Sequence, residues 1–213
     1  MTNRPVTLLS ILFFTIFFTI SSEAQPVNPN ATKETRDLMV FLRSVYGQKI
    51  LSGQVDDKYL QYIKDATGGK EPAIMGYDFN GICPSQGGNN DANKAIKWVK
   101  ERKGIAQFQW HWISPNADGD FYTKNYNLAN ALADTNSSSY KNLIRDIDLV
   151  AAAMKKMQDA GVPILWRPLH EAEGAWFWWG MSGGTACKKL WRLMYDRYTN
   201  YHKLNNLIWV WNS

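Results

Sequence analysis

The chain has 213 residues, of which 45% are hydrophobic and 20% are charged, a balance that excludes a disordered polypeptide and a bundle of membrane-spanning helices. Its 24 Lys and Arg residues against 19 Asp and Glu residues give a net charge of +5. Because the basic residues are scattered rather than gathered in an arm, they do not favour nucleic-acid binding, and we expect one soluble globular domain.

The first 24 residues have the pattern of a secretory signal peptide. Arg4 supplies the positive charge, residues 6–20 form an apolar run, and Ser22 and Ala24 place small residues where a signal peptidase reads them. The apolar run of about 15 residues is shorter than the roughly 20 residues that span a bilayer. We expect cleavage after Ala24, a secreted (extracellular or periplasmic) domain over 25–213 and no stable membrane insertion; a retained anchor is the alternative.

Short apolar runs alternate with helical patterns along the rest of the chain. Apolar spacing predicts helices over 34–46, 58–66, 92–103, 139–160 and 185–202. Apolar runs predict strands over 49–54, 72–79, 105–112, 163–171 and 207–211. Since parallel strands need crossover helices, this alternation predicts the α/β class with a parallel sheet. The polar stretch over 113–138 follows a strand and is typical of a substrate-contacting loop.

The spacing of the strands leaves two architectures open. Successive strands start about 40 residues apart, so eight such units need about 120 residues more than the chain has. The chain is therefore either a complete five-stranded open sheet or the first five β/α units of a (β/α)8 TIM barrel. Because domains rarely stop where a strand meets its active-site loop, we favour the C-terminally truncated barrel.

Two cysteines, Cys83 and Cys187, lie in the part of the chain that we expect to be exported. In an oxidising compartment a disulfide between them is favoured by the environment. The sequence does not decide between this disulfide and two free thiols.

Polar and aromatic residues end all five predicted strands. In both architectures the active site lies at the C-terminal ends of the strands. Five consecutive strands that end in this way indicate a site rather than chance clustering. The residues at these ends are Gln54, Asp56, Asp57, Tyr77, Asp78, Phe79, Trp110, His111, Trp112, Arg167, His170, Glu171, Trp211 and Asn212.

The segment over 166–180, WRPLHEAEGAWFWWG, has the highest density of charged and aromatic residues that could form a site. Strand alternation would place Arg167 and Glu171 on one side and His170 on the other, so that a barrel presents Glu171 inward at its rim. Apolar surroundings raise the pKa of such a carboxyl while the cations lower it, which suits a general acid. The competing interpretations are a buried ion pair between Glu171 and Arg167 and a core position for His170.

Four aromatic residues follow in a row over 176–179. Four consecutive side chains point in different directions, so they cannot all lie in the core. Exposed indoles beside acids and amides suit sugars, whose C–H faces stack on aromatic rings. We expect one or two of the four to pack the loop against the barrel and the others to be exposed.

These residues together resemble the glycoside hydrolase family 26 β-mannanases. The matches are LSGQ over 51–54, WHW over 110–112, and RPLHE over 167–171 followed by Gly174 and WFWWG over 176–180. The last is long and specific, whereas the first two are weak alone. The resemblance runs from about residue 49 to 211 and implies a (β/α)8 barrel and a retaining glycosidase that cleaves β-1,4-mannosidic bonds in mannan, glucomannan or galactomannan. We expect a monomer that uses no cofactor and no metal.

The resemblance also implies roles for individual residues. Glu171 looks like the acid/base, and Arg167 would orient its surroundings. His170 and Trp176 resemble the partners of the sugar at the −1 subsite, and His111 resembles a strand-end histidine that contacts the sugar. The expected substrate-binding residues are His111, Arg167, His170, Trp176, Trp110 and Asp78.

The nucleophile of the resembled family is a Glu at the end of the seventh strand, beyond the five strands of this chain. A retaining enzyme needs two carboxyl groups about 5 to 5.5 Å apart. Glu173 shares a loop with Glu171, and Asp78 lies two strands away, so neither has the family's position. We expect this chain to hold the acid/base half of the site and to be inactive as a fragment.

Other functions remain open at this point. His111, His170 and Glu171 could be zinc ligands, although adjacent strand residues point to opposite faces. A non-catalytic carbohydrate binder, or a relative acting on β-xylan or β-glucan, would use similar aromatic residues. A nucleotide-binding open sheet has little support, because no strand is followed by GxGxxG or GxxxxGK[ST].

Overall fold

The computed structural model describes residues 24–83 and 88–212, so the expected signal peptide, apart from Ala24, lies outside the described residues. Within those residues, no helix has the length and apolar character needed to cross a bilayer. Five strands pair side by side in chain order, and every pairing is parallel. The strands are β1 (Gly53–Val55), β2 (Ile74–Asp78), β3 (Ile105–Gln109), β4 (Ile164–Trp166) and β5 (Leu207–Trp209).

Helices connect the strands as the alternating pattern predicts. Short 3-10 turns cover Asp57–Tyr59 and Ala172–Gly174, and a π-helical turn covers Arg197–Tyr201. Helix α4 was not predicted; it lies in the polar stretch after β3, where the side chain of Asn127 caps its first turn by accepting from the backbone N–H of Asn130. The helices are α1 (Lys33–Val45), α2 (Leu60–Ala66), α3 (Asp91–Arg102), α4 (Leu128–Ala133), α5 (Ser138–Asp159), α6 (Trp178–Met181) and α7 (Gly183–Asp196).

The strand order decides between the two architectures. In a doubly wound open sheet the order of the strands reverses at a switch point. In a (β/α)8 barrel each new strand is added to the same edge of the sheet. The order β1-β2-β3-β4-β5 has no reversal. The described sheet is therefore part of a barrel, which confirms the predicted fold class.

The core lies between the sheet and the surrounding helices. Helix α5 contributes a buried stripe at i, i+4, i+7, i+11 and i+14, the spacing of one helix face. Each such side chain contributes about 1.5–3 kcal/mol when buried. This packing fixes the strands whose C-terminal ends carry the polar residues. The stripe consists of Leu143, Ile147, Val150, Met154 and Met157, all 0% exposed.

Both cysteines are buried and free. Burial, together with the nearby Asp146 carboxylate, raises the pKa of the Cys83 thiol well above its ordinary value. Burial also raises the pKa of Cys187 to about 11. The structure thus has two protonated thiols in its core and no Cys83–Cys187 disulfide.

Candidate active site

The loop that follows β4 presents Glu171 at the C-terminal edge of the sheet. The strand stops at Trp166, and the backbone enters the left-handed region at Leu169 (φ 52°), Glu171 (φ 55°) and Ala175 (φ 53°). The strand predicted over 163–171 is therefore present but ends at Trp166, and the alternation of side chains inferred beyond Trp166 is wrong. Each such non-glycine residue costs about 1–3 kcal/mol, and such strain clusters at functional sites.

Glu171 is exposed and is held from one side by an indole. Nε1 of Trp176 donates to Oε2 of Glu171 at 3.2 Å, and Trp176 is 47% exposed. The buried ion pair with Arg167 does not form, because that guanidinium donates from Nη2 to Gln109 (2.6 Å) and from Nη1 to Asn212 (2.9 Å). The Glu171 carboxyl thus faces solvent next to an open aromatic face, where a sugar can reach both.

The other three aromatic residues of the row are buried, more than the one or two expected. Phe177 is 2% exposed, and Trp178 and Trp179 are 0% exposed. Their polar atoms are satisfied, since Trp178 Nε1 donates to the Trp112 carbonyl at 2.6 Å and Trp179 Nε1 donates to the His170 carbonyl at 2.9 Å. The short helix α6 turns these rings inward and leaves Trp176 at the surface.

Gly180 packs α6 directly against the loop that carries Glu171, a contact that sequence reasoning missed. A Cβ at this position would lie 2.1 Å from the carbonyl oxygen of Ala172, the residue after Glu171. No side chain fits there without moving that backbone. A glycine inside an otherwise bulky aromatic helix was the available sequence signal.

Asp78, at the end of β2, is hydrogen-bonded to His111, which follows the end of β3. Its Oδ2 lies 2.5 Å from Nδ1 of His111, and its Oδ1 accepts the backbone N–H groups of His111 (2.9 Å) and Asn80 (2.8 Å). Burial acts to raise the pKa of Asp78, but these hydrogen bonds, led by that of the His111 side chain, outweigh it and lower the pKa below its ordinary value. Asp78 therefore supports His111 from behind, and its side chain stays 21% exposed, so its expected contact with a substrate remains a prediction.

His170 is buried behind His111. It is 1% exposed, its Nε2 lies 3.3 Å from Nε2 of His111, and its ring packs on Phe177 and Trp179. Burial is the main cause that lowers the pKa of His170 to about 4, and the positive charge of Arg167 adds to it, so the His170 ring is neutral at pH 7. The expected direct contact of His170 with a sugar has no support from its burial, whereas the side chains of His111 and Asp78 are 27% and 21% exposed.

Trp110 lies in the core, where its expected contact with a substrate has no support. It is 2% exposed and stacks on Trp112 with ring centroids 3.9 Å apart. Its ring therefore has no open face for a sugar. Residue 110 comes just after β3 ends at Gln109, and its side chain belongs to the core rather than to the site.

The loop after β3 adds an aromatic surface that was not predicted residue by residue. Tyr122 is 53% exposed and stacks on Phe177 with ring centroids 5.2 Å apart, and Phe121 lies 5.0 Å from the His111 ring. The polar stretch over 113–138 was expected to contact substrate, and its two adjacent aromatic residues were the signal for where. They extend the aromatic surface that begins at Trp176.

The zinc-site alternative has no geometric support. His111 and His170 point their Nε2 atoms at each other, whereas Oε2 of Glu171 faces Trp176. Across residues 24–83 and 88–212, no group of three or more His, Cys, Asp or Glu side chains is arranged to hold a metal ion. The arrangement instead offers an exposed carboxyl, a supported imidazole and aromatic faces.

Comparison with known proteins places this site in a family context. A model of glycosyl hydrolase family 26 matches residues 27–213. A mannan endo-1,4-beta-mannosidase of Thermothelomyces thermophilus is 44% identical over 200 residues, covering 87% of this chain and 41% of the relative. Mannan endo-1,4-beta-mannosidase A of Piromyces sp. is 43% identical, covering 91% of this chain and 35% of the relative. The chain thus spans less than half the length of these curated relatives.

Solved structures of mannanases are also similar to this chain. The crystal structure of a Podospora anserina GH26-CBM35 β-(1,4)-mannanase matches with a TM-score of 0.84 and 42% identity over 89% of this chain and 46% of that chain. A β-mannanase from a symbiotic protist of the termite Reticulitermes speratus, complexed with gluco-manno-oligosaccharide, matches with a TM-score of 0.78 and 31% identity. That match covers 88% of this chain and 64% of the protist enzyme.

Proposed function

The chain belongs to glycosyl hydrolase family 26, and from that premise we propose that it forms part of a secreted, retaining endo-β-1,4-mannanase. The observation that carries the proposal is the exposed Glu171 at the end of β4, hydrogen-bonded to the exposed Trp176, in a chain 44% identical to a protein named as a mannanase. Secretion rests on the signal-peptide pattern of residues 1–24. The gluco-manno-oligosaccharide in the protist enzyme supports glucomannan as one substrate, beside mannan and galactomannan.

Glu171 serves as the acid/base in this proposal. In the first step its carboxylic acid donates a proton to the leaving glycosidic oxygen as the C–O bond breaks and a nucleophilic carboxylate bonds to the anomeric carbon. In the second step the Glu171 carboxylate takes a proton from water as that water attacks and releases the carboxylate. The exposed position of Glu171 suits both steps, because a sugar and then a water must reach it.

The nucleophile requires a second carboxyl about 5 to 5.5 Å from the first. Asp78 is a poor choice, because its two oxygens already accept hydrogen bonds from His111, Asn80 and Gln109. Glu173 lies in the same short loop as Glu171, in the turn over Ala172–Gly174. Because the chain covers only 41% of the T. thermophilus relative, we place the nucleophile in a part of the enzyme outside these residues.

The substrate proposal is tested with the full-length enzyme on glucomannan, galactomannan, β-xylan and β-glucan, measuring the release of reducing sugar. We expect hydrolysis of the two mannans and release of the sugar with its anomeric configuration retained, which proton NMR of the first products reports. Faster hydrolysis of xylan or β-glucan would contradict the substrate, and binding without hydrolysis would contradict the enzyme.

Trp176 is proposed to stack on a sugar next to Glu171. Trp176→Ala should lower turnover of mannan while leaving the thermal midpoint nearly unchanged, because the indole is 47% exposed and contributes little to the core. The matched control is Trp178→Ala, which removes a fully buried indole and should cost about 3–5 kcal/mol of stability. A large drop in midpoint with normal kinetics for Trp176→Ala would instead show that this ring has a packing role.

A further inference from the structure

His111 and His170 form a hydrogen-bonded series with Asp78. Nδ1 of His111 lies 2.5 Å from Oδ2 of Asp78, and Nε2 of His111 lies 3.3 Å from Nε2 of His170. An ionised carboxylate can only accept hydrogen bonds. The nitrogen that faces it, Nδ1 of His111, must therefore carry a proton.

The contact between the two Nε2 atoms determines which nitrogen of His170 carries the proton. Of two facing imidazole nitrogens, one must donate and the other must accept. When His111 is neutral and protonated at Nδ1, its Nε2 is an acceptor, and the proton in this contact lies on Nε2 of His170. Nδ1 of His170 is then an acceptor, and it is buried with no partner among the described residues. The opposite arrangement needs a second proton on His111 and places a proton on Nδ1 of His170, where the buried N–H has no partner among the described residues; that unpaired donor is what disfavours it.

The other polar atoms around Asp78 strengthen this assignment. Oδ1 already accepts two backbone N–H groups, from His111 and Asn80, which fixes the orientation of the carboxylate. Nε2 of Gln109 donates to Oδ2 at 3.2 Å, while its Oε1 accepts from Arg167. The register places Asp78 opposite Gln109 across β2 and β3, so the sheet itself aims Oδ2 at the His111 ring.

We propose that Asp78 is a positioning residue that holds His111 in the Nδ1-protonated tautomer, so that the single lone pair on its Nε2 accepts the N–H at Nε2 of His170. A neutral imidazole has one acceptor nitrogen, so this bond fixes the tautomer of His170 as well. A sugar hydroxyl can donate to His111 only by taking the place of His170; that part of the inference rests on the proposed mannanase function, and the tautomer assignment does not.

The tautomers can be read by long-range ¹⁵N–¹H NMR correlation of the full chain labelled with ¹⁵N-histidine, at pH 7 and without substrate. Single His→Gln variants assign the resonances. We expect His111 to show a protonated Nδ1 and an unprotonated Nε2, and His170 to show a protonated Nε2. A His111 ring protonated at Nε2, or at both nitrogens, would overturn the proposal without any variant of Asp78.

The Asp78→Asn variant tests whether Asp78 sets the tautomer of His111. Oδ1 of the new amide keeps the two backbone N–H groups, so its NH₂ takes the place of Oδ2, donates to Nδ1 of His111 and no longer accepts from Gln109. We expect both rings to exchange tautomers, with the proton of His111 moving to Nε2 and that of His170 moving to Nδ1. An unchanged His111 tautomer in a folded Asp78→Asn protein would show that Asp78 does not set it.

A matched control lies on the outer helices. Asp148 on α5 pairs with His202, with Oδ1 2.7 Å from Nε2, and also binds Arg197. Asp148→Asn should change the His202 resonances and leave those of His111 and His170 as they were. A change in the His111 resonances would mean that the tautomer change is not specific to the loss of the Asp78 carboxylate. Because this readout uses no substrate, its failure leaves the proposed hydrolase untouched, and a failure to hydrolyse mannan leaves the tautomer assignment standing.

Discussion

Glu171→Ala in the full-length enzyme is expected to lower kcat on mannan by about 10²–10⁴-fold, the usual contribution of a general acid/base. The leaving group in mannan is a sugar alkoxide, which departs slowly unless it is protonated. Alanine removes the proton donor and also the acceptor of the Trp176 N–H. Because Glu171 is exposed, the thermal midpoint should change little.

The matched control is Glu173→Ala, two residues further along the same loop. Glu173 is also exposed, so its removal takes away a similar charge from a similar position. We expect nearly normal kcat for this variant. Equal losses for the two variants would mean that the charge of the loop, rather than the proton of Glu171, matters.

Gly180→Ala is expected to have a large effect for the addition of a single methyl group. The new Cβ would lie 2.1 Å from the carbonyl oxygen of Ala172, so the backbone next to Glu171 has to move. Overpacking of this kind typically costs about 1–3 kcal/mol of stability. Displacement of a catalytic group by about 1 Å can also lower activity roughly 10²-fold.

Gly184→Ala serves as the control for this substitution. Gly184 lies in the first turn of α7, and a Cβ there would meet no atom within 4 Å. We expect unchanged activity and equal or slightly higher stability, because alanine favours the helix over glycine. If Gly180→Ala behaved like Gly184→Ala in both the thermal midpoint and kcat, the tight contact between α6 and the loop that carries Glu171 would be refuted.

The sheet and the location of the site could be predicted from the sequence because they depend on local patterns. Apolar runs separated by helical spacing require parallel strands, and parallel strands bring their C-terminal ends to one edge. That reasoning brought Asp78, His111 and Glu171 to the same edge, as observed. The choice between a barrel and an open sheet needed the observed strand order.

The details of the site could not be predicted in this way because they depend on non-local packing. A two-residue period assumes a strand, but the left-handed turns at Leu169 and Glu171 end that period after Trp166. The burial of His170 follows from rings that arrive later in the chain, on α6. The pairing of Asp78 with His111 spans two strands and depends on their register.

The central claim is that Glu171 protonates the leaving group of a mannan-cleaving site. The most direct test compares Glu171→Ala with the unmodified full-length enzyme on mannan and on an aryl mannoside whose phenolate leaves without protonation. We predict a loss of about 10²–10⁴-fold on mannan and a much smaller loss in the first, glycosyl-transfer step on the aryl mannoside. Equal losses on both substrates would contradict the assignment of Glu171 as the acid/base.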